Sequence, residues 1–83
     1  MSNGMPEDAV TQPHVETHKG GSIRARGQML NGLLHGYWEW FRLDGTKLRS
    51  GSFDRGEQVG EWTTYDRAGE PYKVTNMKPK KPA

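Results

Sequence analysis

Gly36-Tyr37-Trp38-Glu39-Trp40-Phe41-Arg42-Leu43-Asp44-Gly45 is answered 24 residues later by Gly60-Glu61-Trp62-Thr63-Thr64-Tyr65-Asp66-Arg67-Ala68-Gly69. The first and last glycines coincide, as do the tryptophan and the aromatic residue three places after it. Upstream, Gly27 and Gly32 stand 24 places before Gly51 and Gly56. Four matched glycines would mean little in a chain with 11 of them. A tryptophan and a second aromatic in the same register make chance a poor explanation. A fixed period of this length is the signature of a repeat architecture.

Turn signals divide the repeat. Asn31-Gly32, Asp44-Gly45, Arg55-Gly56 and Ala68-Gly69 separate stretches rich in aromatic and β-branched residues. Tight hairpin turns need positive φ, which Asn-Gly and Asp-Gly supply. The spacing predicts five strands, near residues 22–30, 36–43, 47–54, 60–66 and 71–77. Each 24-residue unit then holds one β-hairpin, since one strand of that length is out of scale. A glycine every few residues opposes helix. The expected fold is all-β, an antiparallel meander mostly one layer thick, with about two and a half units and disordered ends.

The flanks read differently. Residues 1–19 carry two prolines, few large apolar groups and no period, and are expected to be a disordered arm. Residues 78–83, Lys78-Pro79-Lys80-Lys81-Pro82-Ala83, form a basic tail in which two prolines oppose regular structure. Residues 20–77 remain as the folded domain. No cysteine is present, so no disulfide can staple this 83-residue chain, which agrees with a reducing compartment. The start has neither a basic n-region nor an apolar run, and no stretch is apolar enough to span a bilayer. A soluble cytoplasmic protein is the expectation. The formal net charge of +2 is slight, with acids gathered in the first arm and lysines in the tail.

Strand alternation assigns two faces. Ile23, Ala25, Gly27, Met29, Gly36, Trp38, Trp40, Gly51, Phe53, Gly60, Trp62 and Met77 fall on one. Tyr37, Phe41, Leu48, Tyr65, Tyr72 and Val74 fall on the other, among Arg24, Arg26, Glu39, Ser50, Ser52, Glu61 and Thr63. The first face is the expected core, its glycines letting indoles lie against neighbouring backbone. The second, half polar, suits a wetted side.

The pattern Gly36-x-Trp38-x-x-Phe41-x-x-x-Gly45, Gly51-x-Phe53-x-x-Gly56-x-x-x-Gly60-x-Trp62-x-x-Tyr65-x-x-x-Gly69 resembles the MORN repeat, and in particular its bacterial variant. The resemblance covers residues 20–77. It implies a β-hairpin sheet serving as a scaffold or protein-interaction module without catalysis. Within that family some members are linked to phospholipid binding, and some bacterial variants are labelled antitoxin-like. The chain departs from the pattern at three points. Leu33-Leu34 occupies a turn where its own second copy has Glu57-Gln58, Thr75 replaces a glycine opposite Gly51, and Trp40 is matched by Thr64.

No catalytic constellation emerges. His14 and His18 have helical metal spacing, but Pro13 precedes them and no third ligand is evident. His35 reads as a turn residue. Glu39 and Glu61 could be a carboxylate pair only across a cleft, which a flat sheet lacks; both read as solvent-facing strand residues beside Arg24, Arg26 or Lys73. Gly20-Gly21 lacks the Lys-Ser/Thr end of a phosphate loop. Nothing calls for a cofactor or metal.

The leading expectation is a non-enzymatic module that binds a protein partner, anchored by Trp38, Trp40 and Trp62 with Leu33 and Leu34 at the β-hairpin tip, because aromatic anchors concentrate interface energy. Leu33 and Leu34 could instead fold back as a cap on the array. Lys78, Lys80 and Lys81 offer a second reading, a weak contact with an anionic lipid surface or nucleic acid. A structural homodimer shielding the aromatic face is a third.

Overall fold

A computed structural model of the chain describes residues 10–78. These form one six-stranded antiparallel sheet in sequential order: β1 Gln12–Thr17, β2 Ile23–Leu30, β3 Leu33–Phe41, β4 Lys47–Asp54, β5 Glu57–Tyr65 and β6 Pro71–Met77. Among the described residues there is no helix and no second layer. The all-β meander read from the sequence is therefore present. It has six strands rather than five, because β1 lies within the stretch expected to be a disordered arm. Residues 1–9 of that arm and 79–83 of the tail lie outside the described residues.

β1 extends the 24-residue step to the N-terminal side. His14 pairs with Gly27, Trp38 with Gly51 and Trp62 with Thr75, each pair one step beyond the last. Three turns repeat likewise. The amides of His18, Arg42 and Asp66 donate to the carbonyls of Ser22, Thr46 and Glu70, at 2.8–2.9 Å. Gly21, Gly45 and Gly69 each take positive φ in these turns. The unit count is thus three hairpins, not two and a half. Between hairpins the tight turns are Asn31-Gly32 (φ 50°, 81°) and Arg55-Gly56 (φ 46°, 90°), where both central residues need the left-handed region.

The core is built on one face of the sheet. Ala25, Trp38 and Trp62 are 1%, 1% and 3% exposed. A single layer buries an indole by laying it flat. Trp38 lies against Gly27 and Trp62 against Gly51, each over the preceding strand, where a side chain at the glycine would collide with the indole. Each indole N–H is satisfied by a carbonyl on that strand: Trp38 Nε1 donates to Gln28 (2.9 Å) and Trp62 Nε1 to Ser52 (3.2 Å). Trp40 packs on both, its ring centroid 5.8 Å from Trp38 and 5.4 Å from Trp62, and Phe53 meets both edge-on. Trp40 bridges two successive indoles, whereas no further indole follows Trp62 for Thr64 to bridge. That accounts for a Trp40 without a counterpart.

Two features differ from simple alternation. Gly36 and Gly60 were expected as flat packing sites, yet open space surrounds them; they carry φ of 76° and 73° where the ladder is irregular opposite Gly27 and Gly51. A bulge at Arg24 makes Ile23 the partner of Thr17, and Ile23 lies beside Arg26 and Phe41 on the second face rather than with Ala25.

Candidate interaction surface

The second face is organised by charge over aromatic rings. Glu39 accepts from Arg26 Nε at 2.9 Å and pairs with Lys47 Nζ at 2.8 Å. Arg26 lies over Phe41 and Lys47 over Tyr65, both 5.3 Å from the ring centroid. The Tyr65 hydroxyl reaches the buried Ser50 hydroxyl at 3.0 Å. Burial pushes the Glu39 carboxyl upward, but the hydrogen bonds from Lys47 and Arg26 outweigh it and hold the group below its ordinary value. The hydrogen bond to Glu39 raises Lys47, against a smaller opposing effect of burial. Glu39 is thus a tied strand residue. Glu61 is exposed on the next unit.

Adjacent hairpins are clamped at their ends. Arg42 Nη2 donates to the Tyr65 carbonyl at 2.6 Å while Nη1 donates to the Lys47 carbonyl at 3.0 Å, tying the second hairpin to the third. One step earlier, His18 Nε2–H donates to the Phe41 carbonyl at 3.0 Å and ties the first to the second. At the opposite end the Gly56 amide donates to the Leu34 carbonyl (2.8 Å) and the Arg55 amide to His35 Nδ1 (3.0 Å). His35 is therefore a bonded strand residue, holding the turn of the next unit.

The five residues expected as one anchor cluster separate. Trp38 and Trp62 are core, their faces taken by the sheet and their neighbours, so they cannot meet a partner. Trp40 is half-buried over them, with Arg49 stacked 5.6 Å from its ring and 4.9 Å from that of Trp62. Leu34 pairs with Met29 and Leu33 with Leu30, so the two leucines point to opposite faces. Leu34, half-buried, joins the tryptophan side. Leu33 leans toward Gly56 of the neighbouring turn yet stays 46% exposed. Leu33 shares its face with Tyr37, which sequence reasoning passed over and which is 53% exposed. Alternation alone placed Tyr37 on the half-polar face; its spacing of four from Leu33 was the signal available.

Of the basic tail, Lys78 is exposed, while Lys80 and Lys81 lie outside the described residues. His14 is a strand residue beside Glu16, and His18 reaches across to the Phe41 carbonyl of the next hairpin. Among the described residues there is no group of three or more His, Cys, Asp or Glu side chains suited to a metal. No helix there is long and apolar enough to cross a membrane. The described surface carries open, shallow depressions. One of about 320 Å³ lies along Pro13, His14, Arg26, Gln28, Tyr37 and Glu39, and one of about 380 Å³ along Phe53, Glu57, Gln58 and Met77. Compared with protein families, with curated proteins and with solved structures, the chain matches none.

Proposed function

We propose that the chain is a non-enzymatic protein-interaction module of MORN-like type, with an antitoxin-like component as one instance. The observation that carries this reading is the hairpin tip at 31–34. Leu33 is exposed, but its turn is held by the backbone bond from Gly56 to Leu34 and by the Asn31-Gly32 geometry. An apolar side chain on a fixed turn offers a partner an anchor with little ordering cost. The 24-residue register supports the family reading, because its glycines and tryptophans serve the sheet alone and leave the variable positions for recognition. Tyr37 shares the anchor's face, while Leu34 and Trp40 lie on the opposite face with the Trp38 and Trp62 core that sustains the sheet from below.

The test is affinity capture from the native host with wild type and with Leu33→Glu/Leu34→Glu, both checked for folded spectra. The reading expects one defined protein retained by wild type and lost from the variant. Equal retention by both, or retention abolished by moderate salt alone, would overturn it. The salt result would favour anionic contact through Lys78, Lys80 and Lys81, because electrostatic binding weakens as ionic strength rises.

A further inference from the structure

The two outer strands of the sheet are complementary to each other, and we infer that copies of this chain join head to tail, β6 of one against β1 of the next. Among the described residues no strand pairs with the outer edge of either. The repeat supplies the register. Inside the sheet β4 pairs β5 as Arg49 with Thr64, Ser50 with Thr63, Ser52 with Val59 and Phe53 with Gln58. β6 is β4 advanced by one step of the repeat, and β1 is β5 set back by two. Carried to the edges, the same register puts Lys73 opposite Glu16, Val74 opposite Val15, Asn76 opposite Thr11 and Met77 opposite Val10.

Each of those pairings matches chemically. Lys73 and Glu16 are of opposite charge, and Glu16 keeps 42% of its side chain exposed while bonded to Arg24. Val15 and Val74 are 54% and 56% exposed, and Val10 is 65% exposed; the sheet leaves all three unshielded. Directly opposed β-branched and opposite-charge pairs are the contacts that stabilise a ladder. Pro13 agrees with this register too. Its counterparts Tyr37 and Glu61 fall in the stretches Gly36–Trp38 and Gly60–Trp62, which have no register partner on the preceding strand. A missing N–H there costs no ladder bond. The packing pair changes in step. Inside the sheet an indole lies over a glycine, as Trp38 on Gly27 and Trp62 on Gly51. At the junction the smaller ring of His14 would meet the larger Thr75.

Such a contact joins two different patches, so it propagates rather than closing as a dimer. Sedimentation velocity of the full chain from micromolar to millimolar concentration tests it. The expected result is an average mass that climbs continuously. Lys73→Glu and Glu16→Lys should each weaken association about tenfold, by placing like charges opposite one another. The double variant should restore it. Val74→Lys, whose exposed site leaves the fold intact by circular dichroism, should also weaken it. A monomer throughout the range overturns the inference. So does a dimer that saturates, or association that the single charge changes leave untouched or that the double variant fails to restore.

Discussion

One hydrogen in place of a side chain decides whether this sheet has a core. At Gly27 and Gly51 an indole occupies the space a Cβ would take. Gly51→Ala should therefore cost about 1–3 kcal/mol, the range for overpacking a tight site. Urea denaturation measures it, with Gly20→Ala as the comparison, since nothing lies within 4 Å of that position. Equal midpoints for the two variants would contradict the packing. Glu39 is the second residue on which a measurement turns. Its carboxyl is held below its ordinary value, so its contribution is full above about pH 4.3 and fades as pH falls through the lower folded value. Lys47 is raised, and its contribution is lost only as pH climbs above its ordinary value of about 10.4. Glu39→Gln should flatten the acid limb of the stability profile. An unchanged acid limb would mean that the Arg26–Glu39–Lys47 contact contributes nothing.

Hairpins are the elements, and their ends hold them in line. Arg42 spans from its own hairpin to the Tyr65 carbonyl, so Arg42→Ala leaves backbone acceptors at Tyr65 and Lys47 short of a charged donor. A cost of roughly 1.5–3 kcal/mol is expected for such bonds. Faster amide exchange should appear in the 66–70 turn first; uniform loosening of all three hairpins would argue against a local clamp. The hairpins that carry the Gly-x-Trp pattern were legible in the sequence because their glycines and aromatic residues recur in one register 24 residues apart. The first hairpin was not, for a physical reason. His14 stands in the tryptophan slot and Thr17 in the aromatic slot, so the period loses its aromatic markers while Pro13 imitates a linker. The glycine series Gly21, Gly45, Gly69 preserved the step and would have revealed β1. Bulges explain the faces that were misassigned, because one extra residue at Arg24 moves Ile23 across the sheet. The anchor cluster was only partly legible: Leu33 and Leu34 stood out as apolar residues in a turn, but composition cannot tell that an indole lies flat and buried rather than outward.

The three hairpins together make a sheet with Cα extents of 47 × 34 × 16 Å. Without a covering layer, stability comes from aromatic rings stacked across strands, from Trp38 through Trp40 and Phe53 to Trp62. His14 continues the row, 5.9 Å from Trp38. Function, on this reading, occupies the positions the stack does not use: the tip at Leu33 and the edges at β1 and β6. Everything follows from the 24-residue step running unbroken through three hairpins, the first included. Residue-resolved amide exchange by NMR examines that step where it is least evident, in Gln12–Thr17. Protection there approaching that of β3 and β4, with nuclear Overhauser contacts between the His14 and Trp38 rings, is the expected result. Free exchange across residues 12–17 with no contact to Trp38 would contradict it.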